Sequence, residues 1–149
     1  MQDIVYKEES YKIIGACFEV YKQKGCGFTE PVYQECLAIE LGLQNIPFVE
    51  QPTLELEYKG TILKKGFKPD FICYDKIIIE IKAHSDLIEA NKSQALNYLN
   101  ATRFELALLI NFGDHPQLEY IRLANNNMNN SKATRSIMDE LKSWTKPQK

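Results

Sequence analysis

The stretch FKPDFICYDKIIIEIKA, residues 67–83, decides the fold of this chain. It contains two apolar runs of the length that buried β-strands have, separated by the short segment Tyr74–Lys76. The stretch therefore predicts two neighbouring strands joined by a tight connection, the second covering Ile77 to Ala83. Charged side chains interrupt both runs, and a buried strand can hold such groups only if they are paired or bind a ligand.

The charged side chains in question are Asp70, Glu80 and Lys82. Side chains on a strand alternate between faces, so Glu80 and Lys82, two residues apart, share one face. Asp70 joins them only if it pairs opposite one of the two, which requires a connection with an odd number of residues or a bulge. A three-residue loop meets this condition, at Tyr74–Lys76 or one residue later. A two-residue loop would instead place Asp70 opposite Ile81 and split the cluster.

Two carboxylates and one ammonium converging at about 5 Å spacing can serve either of two purposes. They can bind a hard divalent ion such as Mg²⁺, with a substrate phosphate completing the coordination. They can also form a plain salt-bridged hairpin in which Lys82 pairs with Glu80 or Asp70. Spacing alone does not separate these two interpretations.

Two further features lie outside the hairpin. Gln94 and Tyr98 are four residues apart in a predicted helix and therefore share a face, which can point at the strand ends or simply be an amphipathic surface. Glu30 stands at a predicted helix start, where a carboxylate can cap the exposed amides or contribute to an acidic site.

The remaining pattern predicts helices and strands in a mixed order. Apolar residues at helical spacing predict helices at about 4–24, from 29–31 to 42, and from Asp86, with Glu89 as its capping partner, to about 100. Strands are predicted at 53–58, within 61–74, at 77–83, 104–110 and 118–123. This order indicates a mixed sheet flanked by helices, in the α/β class and bordering on α+β.

Length and composition describe an ordinary globular chain. Its 149 residues suit one domain, predicted at 1–124, followed by an Asn-rich linker and a helical appendage at 125–149. No apolar run approaches the length of a membrane span, and the polar N-terminus lacks a signal peptide's apolar core. Four cysteines without a CxxC pair favour reduced, mostly buried thiols and a cytoplasmic protein.

The net charge of −2 excludes binding of nucleic acid by bulk positive charge. A local basic strip remains, because Lys59, Lys64, Lys65 and Lys68 crowd one short region just before Asp70. On charge alone, an ordinary solvated hairpin is the favoured interpretation of this strip.

Taken together, these residues resemble a known family pattern. Pro69-Asp70, Glu80-Ile81-Lys82 and Gln94-xxx-Tyr98 resemble the PD-(D/E)XK nuclease superfamily in its RecB-like form with a QxxxY motif. Gly27-xx-Glu30-xx-Tyr33 resembles the signature of the GxxExxY proteins, a bacterial family in that superfamily. The resemblance covers roughly residues 5–123. A basic residue after the last strand is weakly represented, with Arg122 as the candidate.

The resemblance implies a restriction-endonuclease-like mixed sheet flanked by helices, with a divalent metal at the strand hairpin. Asp70 and Glu80 become metal ligands helped by the Ile81 carbonyl, and Lys82 becomes the catalytic lysine. Glu30 becomes the early-helix acid that also reaches the metal, with Glu35 and Glu19 as rivals. Gln94, Tyr98 and Tyr33 become substrate-binding or site-shaping residues, although Tyr33 also fits a packing role.

Three functional hypotheses follow. The first is a Mg²⁺- or Mn²⁺-dependent nuclease that hydrolyses phosphodiester bonds of DNA, with RNA second. The alternative is a catalytically silent module that binds nucleic acid or protein, which the net charge of −2 favours. The third is a buried ion network that only fixes strand register. A homodimer is also expected, since a domain of this size offers little surface for gripping DNA.

Overall fold

The computed structural model describes residues 5–125 of the chain. The Asn-rich segment from residue 126 and the helix predicted at 131–144 lie outside the described residues. Asn125 is buried, and its N–H donates to the Glu105 carbonyl at 2.8 Å, so this residue still packs on the domain.

Three helices and seven strands make up the described part of the chain. The helices are α1 (Lys7–Lys24), α2 (Glu30–Leu43) and α3 (Glu89–Ala101). The strands are β1 (Phe48–Glu50), β2 (Glu57–Tyr58), β3 (Thr61–Ile62), β4 (Phe71–Cys73), β5 (Ile77–Lys82), β6 (Leu106–Asn111) and β7 (Glu119–Ala124).

Five of the strands form one mixed sheet in the order β1-β4-β5-β6-β7. β5 and β6 are parallel and are connected through α3, whereas the other neighbouring pairs are antiparallel. β2 and β3 form a separate two-stranded hairpin. The predicted mixed sheet flanked by helices is confirmed, and the combination of parallel and antiparallel pairs makes it a mixed α+β architecture.

The sheet is covered on both faces, which explains the near-continuous isoleucine run of β5. Ile77, Ile79 and Ile81 pack into a core shared with α1 and α2. Ile78 packs into a second core on the other face, shared with α3 and the chain before β4. A strand buried on both faces loses the polar alternation of a one-sided strand. Glu80 and Lys82 follow Ile78 at intervals of two and therefore belong to the α3 face.

The helix bounds follow the sequence closely at α1 and α2, but other elements differ. The strand β1 was not predicted, because three residues at a sheet edge give too short a pattern. The alternating segment 53–58 is regular strand only at β2, with Leu54 forming an isolated bridge to Phe67. The start of α3 at Asp86 was wrong. The helix begins at Glu89, where the Ile88 N–H donates to the Asn91 side-chain oxygen at 3.0 Å.

The four cysteines are free thiols. Cys17 and Cys73 are buried, whereas Cys26 and Cys36 are half-buried, so the prediction of mostly buried thiols holds for two of the four. Burial raises the pKa of Cys73 to about 12, which keeps this thiol protonated and unreactive. Among residues 5–125, no helix has both the length and the apolar character that crossing a bilayer requires.

Candidate active site

The β4–β5 hairpin has the register that brings the charged residues together. Phe71 lies opposite Ile79 and Cys73 opposite Ile77, so three residues, Tyr74–Lys76, form the connection. Tyr74 and Asp75 both have positive φ, and the Lys76 N–H donates to the Cys73 carbonyl at 3.1 Å. The predicted three-residue loop is confirmed. Continuing the same register by one position places Asp70 opposite Glu80.

Backbone hydrogen bonds lock this pair of carboxylates. The Ile81 N–H donates to Asp70 Oδ2 at 2.7 Å, and the Asp70 N–H donates to Glu80 Oε1 at 3.2 Å. The first of these bonds ties the Asp70 side chain to the main chain of β5. These bonds use one oxygen of each carboxylate and leave the other for a ligand.

The two carboxyl groups are hard to ionise together. Burial, followed by the negative charge of Asp70, raises the pKa of Glu80 to about 7 from an ordinary value of 4.5. Burial also raises the pKa of Asp70, opposed by the hydrogen bond from Ile81. A cation placed between the two carboxylates would relieve both effects.

Lys82 ends β5 on the same face as Glu80, and it is half-buried. Its positive charge partly opposes the rise that burial causes in the pKa of Asp70 and of Glu80, so the ammonium lies within electrostatic reach of the pair. The main chain of Lys82 is fixed by β6, since its carbonyl accepts the Phe112 N–H at 2.9 Å. The predicted cluster of two carboxylates and one ammonium is therefore brought together.

Glu30 reaches the same end of β5 from the first residue of α2. Its Oε2 accepts the Ala83 N–H at 3.2 Å and lies 3.8 Å from His84 Nε2. Its charge contributes to raising the pKa of Asp70 and Glu80.

The two rival acids lie elsewhere. Glu35 is exposed and lines a cavity of about 450 Å³ between α2 and β1. Glu19 accepts a hydrogen bond from Gln23 within α1 at 2.9 Å. Of the three early acids, Glu30 is the one that contacts the end of β5.

The turn before α2 aims Glu30. Gly27 has a φ of 111°, a conformation that glycine adopts without a steric penalty. Tyr33 is fully buried, its hydroxyl donates to the Gly25 carbonyl and accepts the Phe28 N–H, and its ring stacks on Phe112 at 4.5 Å. Tyr33 thus packs beneath the turn and is not exposed to a substrate. It acts on the site through the position of α2.

The QxxxY residues of α3 lie beside the carboxylates. The Tyr98 ring stacks on Phe67 with centroids 3.9 Å apart, and its hydroxyl hydrogen-bonds to Gln94. Burial and then the negative charge of Glu80 raise the pKa of Tyr98, which places its hydroxyl near that carboxylate. Gln94 is exposed, so it borders the site from outside.

Two polar residues that the sequence did not single out hold the loop after β5. Asn111 accepts the His84 N–H at 3.0 Å and donates to the His84 carbonyl at 2.9 Å. Glu119, which is buried, accepts hydrogen bonds from Asn111 and from the Leu87 N–H. An Asn and a Glu at strand ends carry no motif, and their role follows only from the parallel pairing of β5 with β6.

Comparison with known proteins adds an independent observation. The model of the PD-(D/E)XK nuclease superfamily matches residues 7–123. The chain belongs to this superfamily. No curated protein and no solved structure gives a significant match to the chain. Members of the PD-(D/E)XK superfamily are generally nucleases, which implies a nucleic acid substrate, and they typically use divalent metal ions.

The donor set suits the metal chemistry of PD-(D/E)XK nucleases. Within residues 5–125, no three His, Cys, Asp or Glu side chains come close enough to bind a metal ion unaided. A Mg²⁺ site does not require three, because this ion is commonly held by one or two carboxylates, waters and substrate phosphate oxygens. Asp70 and Glu80 fit such a site, because each has one oxygen outside the two backbone hydrogen bonds. A bound cation would also offset the burial that raises both pKa values.

Proposed function

We propose that the protein hydrolyses phosphodiester bonds of DNA, with RNA as a second substrate, using Mg²⁺ or Mn²⁺. The observation that carries the proposal is the register of the β4–β5 hairpin, in which Asp70 stands opposite Glu80 with Lys82 on the same face. Two carboxylates with a neighbouring ammonium match the needs of metal-assisted phosphodiester hydrolysis.

Asp70, Glu80 and the Ile81 carbonyl would hold the ion, and Glu30 would add negative charge at the end of β5 without completing a site of three carboxylates. A bound ion supplies neutralisation of phosphate charge and a lowered pKa of its bound water. The partly buried hydrogen bond from Ile81 to Asp70 keeps the first carboxylate from turning away.

Lys82 is proposed as the catalytic lysine, orienting the attacking water or donating to the phosphate oxygens as negative charge develops. Gln94 and Tyr98 would line the approach of the substrate, and the Tyr98–Phe67 stack fixes their helix against the hairpin. Tyr33 would contribute by keeping Glu30 in position.

Narrower assignments are supported by particular residues. Membership of the GxxExxY proteins is supported by three features: the positive φ of Gly27, the contact of Glu30 with the Ala83 N–H, and the burial of Tyr33. Four free thiols support a reducing, cytoplasmic setting. The small size of the domain supports a homodimer. Sedimentation that gives only monomer, with and without DNA, would remove the dimer from the proposal.

The test of nuclease activity uses single-stranded and duplex DNA and RNA with Mg²⁺, Mn²⁺ or EDTA. We expect metal-dependent cleavage by the wild-type protein and its loss in Asp70→Ala and Lys82→Ala. Lys12→Ala is the matched control. Lys12 is exposed on α1 and close to Glu9, whose partner Lys76 lies at the opposite end of β5 from the site.

The other outcomes are also informative. Cleavage that survives both site substitutions would come from a contaminating nuclease. No cleavage by a folded wild-type protein under any condition would favour the silent binding module instead. The net charge of −2 supports a protein without nuclease activity, because negative charge slows encounter with nucleic acid.

A further inference from the structure

The β2–β3 hairpin carries charge that the proposed chemistry does not use. Residues 58–68 contain four lysines and no acidic residue, whereas the whole chain has 20 acidic and 18 basic residues. The four are Lys59 at the turn, Lys64 and Lys65 after β3, and Lys68 just before the Pro69-Asp70 pair. All four are exposed, and within residues 5–125 none of them forms an ion pair.

The hairpin also presents an apolar face. Leu56, at its base, packs against the second core on the α3 side of the sheet. Tyr58 lies two residues further along, and Leu63 stands opposite Leu56, since its N–H donates to the Leu56 carbonyl at 2.8 Å. Tyr58 and Leu63 therefore continue the face of Leu56 outward. They are 64% and 42% exposed, so the face runs from the core into solvent.

The base of the hairpin lies next to the candidate active site. Leu54 bridges to Phe67, and Phe67 stacks on Tyr98, the residue whose pKa is raised by Glu80. Asp70, Glu80 and Lys82 belong to the same α3 face of the sheet as Leu56 and Phe67. A polymer bound at the carboxylates can therefore contact the hairpin on the same face of the sheet.

Aromatic and basic groups on the hairpin are interleaved. Lys59 Nζ lies 5.5 Å from the centroid of the Tyr58 ring, so an ammonium stands beside an exposed ring. Glu55 and Glu57 alternate with Leu56 and Tyr58 along the chain and so point away from the apolar face. An exposed ring with one ammonium beside it, and with further lysines in the segment that follows β3, matches a base that stacks while its flanking phosphates meet ammonium groups.

We propose that the β2–β3 hairpin is a docking surface for single-stranded nucleic acid, with a base stacked on Tyr58 and Leu63 and the phosphates next to the four lysines. This inference rests on the proposed nuclease function, since it names the substrate form that the same site receives. Charge complementarity selects nucleic acid as the occupant. The exposed ring selects a single strand, because bases inside a duplex are already stacked and cannot offer a face.

The experiment measures binding apart from cleavage. Fluorescence anisotropy of an end-labelled oligodeoxynucleotide in EDTA, single-stranded or as the duplex of the same sequence, reports affinity without turnover. We expect tighter binding of the single strand. Tyr58→Ala should weaken it about fivefold or more, the equivalent of one lost stacking contact, and Tyr58→Phe should restore it.

The lysines are tested by salt dependence. Lys64→Ala with Lys65→Ala should reduce the slope of log affinity against log salt concentration by about 1.4, since each phosphate contact on a single strand contributes about 0.7. Lys7→Ala with Lys12→Ala is the matched control, because both lysines are exposed on α1. The control pair should leave the slope unchanged.

Failure of the hairpin and failure of the nuclease give different results. Any of three results would overturn the hairpin inference. They are wild-type affinity in both Tyr58→Ala and the Lys64/Lys65 variant, tighter binding of the duplex than of the single strand, and no binding of DNA at all. Lys82→Ala should keep the preference for the single strand and its dependence on Tyr58 while losing cleavage. Binding through the hairpin without cleavage in the presence of any metal would contradict the proposed nuclease activity and would still support the docking surface.

Discussion

At the scale of single residues, the carboxylates of Asp70 and Glu80 face each other against their mutual repulsion. Their pKa values are raised because burial and like charge both disfavour the ionised forms. Two backbone amides hold them in this arrangement at 2.7 and 3.2 Å. Without a cation, the pair therefore destabilises the fold whenever both groups are ionised.

The first prediction concerns the free energy of unfolding in EDTA as a function of pH. The folded pKa of Glu80, about 7, exceeds its ordinary value of 4.5, so the folded state binds the proton more tightly. The contribution of Glu80 to the free energy of unfolding is then greatest below pH 4.5 and is lost as the pH rises to 7. We expect this loss to be about 2 to 3 kcal/mol. Urea unfolding of wild type and Glu80→Gln across this range measures it.

The substitution removes the titrating group, so the difference between the two proteins reports Glu80 together with its coupling to Asp70. Wild type should lose stability relative to Glu80→Gln as the pH rises. Parallel curves for the two proteins would mean that the Glu80 carboxyl is not perturbed by its surroundings.

The second prediction separates Glu30 from its rivals. Glu30→Gln removes the charge beside Ala83 and Asp70, and it should lower nuclease activity about 10- to 100-fold, as substitutions around a metal site generally do. Glu35→Gln is a matched control, one and a half turns along the same helix and exposed. Equal losses in both variants, measured with Mg²⁺ on one substrate, would contradict the assignment.

The sequence puts Glu30 first through its place in Gly27-xx-Glu30-xx-Tyr33, but it leaves Glu35 and Glu19 as rivals, because all three lie on the first two helices. What selects Glu30 is the path of the chain through Gly27, which starts α2 at the end of β5. That path is a tertiary feature and leaves no period in the sequence.

At the scale of elements, the β4–β5 hairpin was the most predictable part of the site. The parity argument required an odd loop, and the structure has three residues in it, Tyr74–Lys76. The sequence predicts the start of α3 at Asp86, because Asp86 and Glu89 have capping-box spacing. In the structure the helix begins at Glu89, and the Asn91 side chain accepts the N–H of the capping residue Ile88. A cap depends on which residue enters the first turn, and sequence spacing leaves that open by several residues.

The third prediction concerns the loop after β5, which must pass very close to Gly113. A Cβ at residue 113 would lie 2.3 Å from the His84 carbonyl oxygen and 2.5 Å from the His84 nitrogen. Because these are backbone atoms, Gly113→Ala should move the loop and cost about 2 kcal/mol or more in unfolding free energy. Nuclease activity should fall too, since the same loop carries the amide of Ala83 that meets Glu30.

Gly42→Ala provides the control, because a Cβ there meets nothing within 4 Å and the residue lies in α2. It should stabilise the protein by about 0.5 kcal/mol through helix propensity. Thermal and urea unfolding of both variants compares them directly. Wild-type stability of Gly113→Ala would contradict the close approach of the two backbones.

At the scale of the whole molecule, one strand connects the two cores to the site. Ile77, Ile79 and Ile81 of β5 pack toward α1 and α2. Ile78, Glu80 and Lys82 lie on the opposite face, toward α3. The sequence shows this strand as a nearly continuous apolar run, which indicates burial on both faces. It does not show which element covers each face, since that depends on the crossover through α3.

The last prediction links the site to the stability of the entire fold. The carboxylate pair exists only in the folded state, because Asp70 and Glu80 are brought together by strand register. An ion that binds this pair therefore stabilises the folded state, by about 2.7 kcal/mol at a concentration 100 times its Kd. For a domain of this size we expect a rise in Tm of about 5 to 10 °C with Mn²⁺ or Mg²⁺ relative to EDTA. Asp70→Asn should abolish the rise, and Glu35→Gln should keep it. Calorimetry that finds the same rise in Asp70→Asn would place the ion elsewhere on the protein.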